Sequence, residues 1–227
     1  VAKATELIKV GACTPRLATL FPLVETALQI SLDAGPLLHE PVVVLGLGVV
    51  GILTGALLTR SGAAVIGSDP LEWRRHAADS LGVMAVDPTD LEEHISVMTR
   101  GRGVSLVIDA AGSSTALAGA LDLLTHEGTV LVASWYGTKP VTLPLGGSFH
   151  RRRLTLRSTQ VSSIPGHLAP RWTLQRRRET TLELMKDLTL EQLATHSFPV
   201  NEVAAAFEAV DSKADELIHA ALRYGEG

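Results

Sequence analysis

The sequence predicts an α/β protein, a doubly wound parallel sheet of the Rossmann type with helices on both faces. Three observations favour this class. An apolar run at 42–45 leads directly into a glycine pattern, and short apolar segments then alternate with longer helical ones. In addition, 46% of the 227 residues are hydrophobic while only 4% are aromatic. An interior rich in Leu, Val and Ala is typical of parallel sheets covered by helices.

The glycine pattern GLGVVG follows the first predicted strand, with glycines at Gly46, Gly48 and Gly51. In a dinucleotide site the first makes the tight turn and the second leaves room for the pyrophosphate to approach the backbone. The third lets the next helix pack against the strand, and the first amides of that helix point at the phosphates. The residues of this motif predicted to contact the cofactor are Gly46, Gly48, Val49, Val50 and Gly51.

An acid at the end of the second predicted strand supports this interpretation. Asp69 follows the strand at 64–67, close to the roughly 20 residues after Gly51 at which a carboxylate binds the adenosine ribose. A transmembrane helix is the alternative, because residues 42–58 carry no charge and Gly51 and Gly55 form a small-xxx-small pair. That run is shorter than the ~20 residues a span needs, and its first half is rich in glycine and β-branched residues. We therefore expect no membrane association.

Charge and cysteine content narrow the function classes. The net charge of −4 disfavours a general nucleic-acid surface. The arginine runs at 151–153 and 176–178 fit exposed charge, an anion pocket or a subunit contact. Cys13 is the single cysteine, which excludes an internal disulfide or a CxxC metal lobe and favours a cytoplasmic location. The chain has no signal-peptide pattern, and because it starts at Val1 we expect that an upstream segment is missing.

Alternating periodicities place the elements along the chain. Residues 1–10 have strand character, a helix is expected at 16–34 before a Gly-Pro stop, and residues 216–222 fit either a strand or a helix. The other strands are predicted at 42–45, 64–67, 84–86, 106–108, 129–133 and 154–159. The other helices are predicted at 49–60, 72–81, 90–99, 114–124, 171–188 and 203–210. Right-handed crossovers between such strands give a parallel sheet.

Five segments resemble the medium-chain dehydrogenase/reductase superfamily, which includes the zinc alcohol and polyol dehydrogenases. They are FPLVETALQ, VVVLGLGVVG, SDPLEWRRHAADSLGV, VIDAAGSSTAL and LDLLTHEGTVLVASWYG. The family spacing of an acid, a basic residue, an alanine and a glycine is more specific than GxGxxG, and it is matched by Asp69, Arg74, Ala78 and Gly82. The resemblance implies three parts: a remnant of a GroES-like catalytic domain at 1–15, an NAD-binding Rossmann domain at 16–200, and a C-terminal return segment at 201–227.

The resemblance also implies NAD as the cofactor, with NADP less favoured. Asp69, followed by Pro70, would accept the ribose hydroxyls and repel a 2′-phosphate. Arg74 resembles the family residue whose guanidinium stacks on the adenine. Arg74 and Arg75 could instead bind the 2′-phosphate of NADP, and this possibility is the evidence in favour of NADP.

At the nicotinamide end, the resemblance assigns small residues and backbone groups. The nicotinamide ribose is expected to pass over Ala111 and Gly112, beside Asp109, which we expect only to hold the turn. The carboxamide is expected to face the next strand end, at Ser134, Trp135 and Tyr136. Thr26 matches a threonine that touches the nicotinamide in relatives; the alternative is a hydroxyl bonded to its own helix backbone.

The zinc ligands of the family are missing from the matching positions. Polyol-type members carry an acid where Phe21 stands, and alcohol-type members carry a cysteine where Pro22 stands. Glu25 could substitute for them, or it could be a solvated carboxylate in the first turn of a helix. Because a catalytic zinc needs three protein ligands, we expect no zinc site in this chain. His150 and His196 are the better histidine candidates for proton transfer, and no catalytic residue is assigned.

These observations favour an NAD-dependent oxidoreductase of the alcohol dehydrogenase type, which moves a hydride between nicotinamide and an alcohol or carbonyl compound. The expected partners are that small molecule and a second copy in a homodimer, and no nucleic acid. Two other classes stay open. One is a non-catalytic NAD(H)-binding or redox-sensing module, and the other is an S-adenosylmethionine methyltransferase. The complete GxGxxG pattern and the later DAAG segment argue against the methyltransferase.

Overall fold

The computed structural model describes residues 8–11, 13–212 and 216–225. The strands in these ranges are β1 (Pro41–Leu45), β2 (Ala64–Ser68), β3 (Met84–Val86), β4 (Val104–Asp109), β5 (Leu124–Val132), β6 (Thr155–Ser158), β7 (His196–Pro199) and β8 (Ala220–Arg223). The α-helices are α1 (Pro15–Ala18), α2 (Phe21–Ala34), α3 (Val49–Arg60), α4 (Glu72–Ser80), α5 (Leu91–Thr99), α6 (Ser114–Leu123), α7 (Leu174–Asp187) and α8 (Val203–Asp211). A π-helical turn lies at Leu145–Phe149, and 3₁₀ turns lie at Leu190–Gln192 and Val200–Glu202.

Six parallel strands form the main sheet, in the order β3-β2-β1-β4-β5-β6. The chain builds outward from β1 in one direction to β3, and then returns to the other side of β1 to continue with β4. Leu45 at the end of β1 is paired with Ser68 on one side and with Asp109 on the other. The carboxyl ends of these strands therefore meet where the strand order reverses, the place at which open α/β sheets bind ligands.

The sheet is covered on both faces, because successive β1 residues point to opposite sides. Val42 and Val44 pack with α2, α3 and α4, whereas Val43 and Leu45 pack with α5 and α6. Strands buried on both faces need continuous apolar sequence, as VVVL supplies. The predicted doubly wound α/β fold is confirmed.

The predicted helix at 16–34 is wrong in one respect, because it is broken into α1 and α2. Pro22 has no N–H to donate to Ala18, four residues earlier, and its ring would clash with that carbonyl in a continuous helix. The helix therefore restarts after Leu20, whose carbonyl accepts hydrogen bonds from Leu23 and Val24.

Two strands differ from the predictions. The strand predicted at 129–133 begins earlier, with Leu124, and a register shift between Val104 and Leu106 of β4 absorbs the irregular pairing. Strand β7 was not predicted; it pairs in parallel with β8, which identifies the ambiguous segment 216–222 as leading into a strand. Most of the strand predicted at 1–10 lies outside the described residues, and 8–10 have no regular structure.

The uncharged run at 42–58 is not a membrane helix, since it is divided into β1 and α3 of the sheet layers. By length and composition alone, Pro15–Ala34 is apolar enough to cross a membrane. Its second part, α2, lies in the core against α3 and α7, and it contains two acids, Glu25 and Asp33, that are bonded within the fold. This environment is that of a core helix.

The small β7–β8 sheet makes stability depend on pH through His219. The His219 backbone carbonyl accepts a hydrogen bond from the His196 amide at 2.9 Å. Burial lowers the pKa of the His219 imidazole below its ordinary value of 6.5. The unfolded chain should therefore bind a proton on this imidazole at a higher pH than the folded protein does. The contribution of neutral His219 to the free energy of unfolding should then be lost as the pH falls below 6.5 toward the folded pKa.

We expect the His219→Gln variant to lose less stability than the wild type when urea unfolding is compared at about pH 7.5 and about pH 5.5. The exposed His126, changed to glutamine, is the control for loss of one imidazole. An equal pH dependence in the wild type and His219→Gln would contradict the assignment.

Candidate functional site

In the glycine turn after β1, the fold has no room for a side chain at Gly46 or Gly51, but it has room for one at Gly48. Gly46 has a φ of +88°, and a Cβ there would lie 2.6 Å from the Ala111 Cα atom. A Cβ on Gly51 would lie 1.9 Å from the Gly46 carbonyl oxygen. By contrast, no protein atom lies within 4 Å of the position a Gly48 Cβ would take. The space beside Gly48 is therefore free for a ligand.

Helix α3 begins directly behind this space. Gly48 is its N-cap, and no side chain caps the helix. The first amides of a helix, here those of Val49, Val50 and Gly51, have no acceptor within the helix and carry a partial positive charge. This arrangement suits an anion such as a pyrophosphate.

Asp69 fastens the end of β2 to the glycine turn. The residue is buried, and its carboxylate accepts hydrogen bonds from the Leu47 amide and the Leu71 amide, both at 2.9 Å. The Gly46 amide also donates to the Ser68 carbonyl at 2.8 Å. A carboxylate has about four acceptor positions, so Asp69 can still accept bonds from hydroxyls placed in the adjoining cleft.

A cleft of about 590 Å³ opens between the ends of β2 and β4 and the start of α6. It brings together six of the residues predicted to bind the cofactor: Gly46, Gly48, Asp69, Pro70, Arg74 and Ala111. Sequence reasoning missed the apolar walls, formed by Leu71, Pro88 and the α6 residues Ala116, Gly119 and Ala120. The spacing of these α6 residues, three and four apart, places them on one helix face and could have identified this wall.

The loop after β4 is held from below by Asp109. Its carboxylate is fully buried and accepts bonds from the Tyr136 hydroxyl at 2.8 Å and from the Ala111 amide at 3.2 Å. The Ser134 hydroxyl accepts a bond from the Gly112 amide at 2.8 Å and donates to the Asp109 carbonyl at 3.2 Å. Asp109 is thus the anchor of the loop as well as the turn residue expected from sequence.

The Thr26 side chain points elsewhere in this structure, and the side chains of Trp135 and Tyr136, whose backbone groups are predicted to face the carboxamide, do not line the cleft. The Thr26 hydroxyl donates to the Pro22 carbonyl of its own helix at 2.8 Å, which was the alternative considered for it. Trp135 is 93% exposed and does not line the cleft. Tyr136 is turned inward, and burial together with the Asp109 carboxylate raises the pKa of its hydroxyl. Tyr136 supports the loop through Asp109.

Replacing Tyr136 by phenylalanine should therefore lower stability. The change removes a hydrogen bond to a buried carboxylate, which is worth about 1.5–3 kcal/mol of the free energy of unfolding. Tyr224 is 80% exposed, and Tyr224→Phe is the matched control, expected within about 0.5 kcal/mol of the wild type. Thermal or urea unfolding of both variants measures this; equal effects would show that the Asp109 contact contributes nothing.

The two arginines after Asp69 have different partners. The Arg74 guanidinium lies 3.5 Å from the Asp69 carboxylate and 5.0 Å from the ring centre of Trp73. Arg75 donates to the Asp69 carbonyl at 2.7 Å and to the Asp87 carboxylate at 3.1 Å. Arg74 lines the cleft and Arg75 does not.

The described residues do not bring together a set of side chains that fits a zinc ion. Within the described ranges, no three His, Cys, Asp or Glu side chains are grouped so that they could hold a metal. Glu25, the substitute ligand considered from sequence, forms an ion pair with Arg177 at 3.1 Å. His150 is exposed and His196 lies in β7, and neither lines the cleft.

Comparison with known protein sequences identifies the family to which the chain belongs. A family model for zinc-binding dehydrogenases matches residues 49–176, more than half of the chain. D-guloside 3-dehydrogenase of Escherichia coli K12 is 32% identical over 161 residues, which cover 67% of this chain and 45% of that enzyme. L-threonine 3-dehydrogenase of Bacillus licheniformis is 29% identical over 172 residues, covering 74% and 47%.

Solved structures share the fold. A short-chain alcohol dehydrogenase from Escherichia coli CFT073 complexed with NADH has a TM-score of 0.75 at 18% identity, covering 94% of this chain and 61% of its own. The 2R,3R-butanediol dehydrogenase from Bacillus subtilis has a TM-score of 0.74 at 20% identity, covering 93% and 58%. The chain spans about half the length of the curated relatives it matches. The chain belongs to the zinc-binding dehydrogenases of the medium-chain dehydrogenase/reductase superfamily.

Proposed function

We propose that this chain is the NAD-binding part of an oxidoreductase of the alcohol dehydrogenase type. The observation that carries the proposal is the cleft in which the open space beside Gly48 and the buried carboxylate of Asp69 lie together. One side of this cleft suits a pyrophosphate and the other suits a ribose diol, the two polar parts of a dinucleotide. The names of the relatives, which are dehydrogenases, support the same class.

Each part of the cleft has a role in this proposal. The amides of Val49 and Val50 would bind the pyrophosphate, Asp69 would accept the ribose hydroxyls, and the apolar walls at Leu71 and Pro88 would hold the adenine. A bound nicotinamide supplies the hydride chemistry, and the protein orients it against an alcohol or carbonyl compound. The loop at 109–113, held by Asp109 and Ser134, supports the nicotinamide ribose from below.

NAD is the proposed cofactor rather than NADP. A carboxylate at Asp69 repels the 2′-phosphate and accepts the hydroxyl that replaces it in NAD. The NADH complex of a structural neighbour supports a nicotinamide cofactor for this fold.

The proposal is tested by calorimetry of the purified chain with NADH, NADPH and S-adenosylmethionine. NADH should bind and should raise the unfolding temperature, and this rise should continue with the logarithm of the free NADH concentration above Kd. S-adenosylmethionine should do neither. Binding of S-adenosylmethionine without NADH would replace the proposal with the methyltransferase alternative. NADH binding by the full-length protein with no turnover on alcohols or carbonyls would favour the redox-sensing module.

We also propose that a second copy pairs along β6. This strand lies at the edge of the main sheet, and all four of its residues, Thr155–Ser158, are exposed. An open edge offers unpaired backbone groups to another strand, and pairing with a copy of itself covers them. Sedimentation of the chain and of a Leu156→Pro variant, which cannot pair regularly, tests the proposed dimer.

The expected cytoplasmic location and the domain boundaries stay predictions.

A further inference from the structure

A second acid, Asp87, lies just outside the cofactor cleft and controls one of the two nearby arginines. It follows β3 and precedes Pro88, which lines the cleft wall. Its Oδ2 atom accepts a hydrogen bond from the Arg75 guanidinium at 3.1 Å, and the same guanidinium nitrogen donates to the Asp69 carbonyl at 2.7 Å. Arg75 is thereby tied to the end of β3 and kept out of the cleft.

Asp87 is itself fixed in place. Its Oδ1 atom accepts bonds from the Thr89 amide at 3.0 Å and from the Thr89 hydroxyl at 2.8 Å. These bonds, with the charge of Arg75, hold the pKa of Asp87 below its ordinary value, so the carboxylate is ionised at neutral pH. The other carboxylate oxygen is left for Arg75.

The charges around the ribose position are consequently paired. Arg74 faces the Asp69 carboxylate and Arg75 faces the Asp87 carboxylate, so each guanidinium already has an acid. A 2′-phosphate placed beside Asp69 would meet a negative charge and would have to take an arginine away from its present partner. The 2′-hydroxyl of NAD makes no such demand.

We propose that Asp87 is a specificity-determining residue, which favours NAD by holding Arg75 away from the position of a 2′-phosphate. It acts through Arg75 and is a positioning residue. The inference rests on the proposed NAD-binding function. It assigns discrimination to two acids, Asp69 by direct repulsion and Asp87 by withholding a cation.

The test is a double-mutant cycle read as the ratio of NADPH to NADH affinity. Asp69→Ser alone should raise this ratio by about tenfold, since a charge-assisted contact is worth that much or more. In the Asp69→Ser background, adding Asp87→Ala should leave Arg75 bonded only to the backbone carbonyl of residue 69, so that its guanidinium can turn toward a 2′-phosphate. The ratio should then rise by a further factor of about ten. Adding Arg75→Met to the double variant should remove this second gain.

The matched control is Asp90→Ala, which removes an exposed acid of the same segment that does not bond to Arg75. In the Asp69→Ser background it should leave the ratio of NADPH to NADH affinity within about twofold of its value in Asp69→Ser alone, because an exposed charge contributes little. An equal gain from Asp87→Ala and Asp90→Ala would overturn the proposal in favour of a general charge effect. A gain that survives Arg75→Met would overturn it as well.

A second measurement keeps Asp69 in place, in case its replacement prevents folding. The ratio of 2′,5′-ADP affinity to ADP affinity should be about threefold higher in Asp87→Ala than in the wild type. An unchanged ratio in a folded variant that still binds ADP would overturn the inference alone. If the wild type binds neither NADH nor ADP, the proposed function itself is wrong.

Discussion

Gly48→Val is expected to abolish NADH binding and to leave the fold intact. No protein atom lies within 4 Å of a Cβ at this position, and the backbone has a φ of −70°, which any residue adopts. The valine side chain would therefore fill the space in front of α3 that the proposed function assigns to the pyrophosphate. We expect at least a hundredfold loss of affinity, about 2.7 kcal/mol, as measured by calorimetry.

The neighbouring glycines provide the controls for this change. Gly48→Ala adds a single methyl group and should bind NADH more weakly than the wild type but more tightly than the valine variant. Gly51→Ala should fail to fold normally, because its Cβ would lie 1.9 Å from the Gly46 carbonyl oxygen. Unchanged NADH affinity in a folded Gly48→Val protein would show that the phosphates do not lie at this turn.

Arg177→Met is expected to lower the free energy of unfolding by about 3–5 kcal/mol, the cost of removing one partner of a buried ion pair. Arg177 is 3% exposed and donates to Glu25 at 3.1 Å, to Gln29 at 2.5 Å and to the Val161 carbonyl at 2.6 Å. In the methionine variant, the Glu25 carboxylate and the Gln29 amide would lose this partner, although both lie where little solvent can replace it.

Two further variants separate the lost charge pair from other effects. Lys186, on the same helix, forms an exposed pair with Glu183, and Lys186→Met should cost at most about 1 kcal/mol. Adding Glu25→Leu to Arg177→Met should restore part of the lost stability, because the unpaired carboxylate is then removed. If the double variant is less stable than Arg177→Met alone, the unpaired charge is not the cause.

The elements that could be predicted from the sequence are those written in local patterns. The run VVVL and the glycine turn identify β1 and the start of α3, and the acid after the second strand identifies Asp69 as part of the cleft. Period and turn chemistry act over a few residues, so they can be recognised without knowledge of the fold. For the same reason the broken helix could have been predicted from Pro22.

Other features depend on residues far apart in the chain. Arg177 meets Glu25 across 152 positions, and no local pattern pairs them. Strand β7 has four residues, HSFP, with no clear alternation, and only its pairing with β8 makes it a strand. The direction of the Tyr136 hydroxyl follows from the burial of Asp109, which the sequence alone does not specify.

The bond between the Leu47 amide and Asp69 has a consequence for the cost of binding. The glycine turn is held in its shape by this 2.9 Å contact before any dinucleotide arrives. A ligand that enters a preorganised turn does not have to order it, so less of its interaction energy is lost to conformational entropy. Under the proposed function, Asp69 would therefore contribute to affinity even where it touches no ligand atom, by keeping the empty cleft in the form that the filled cleft requires.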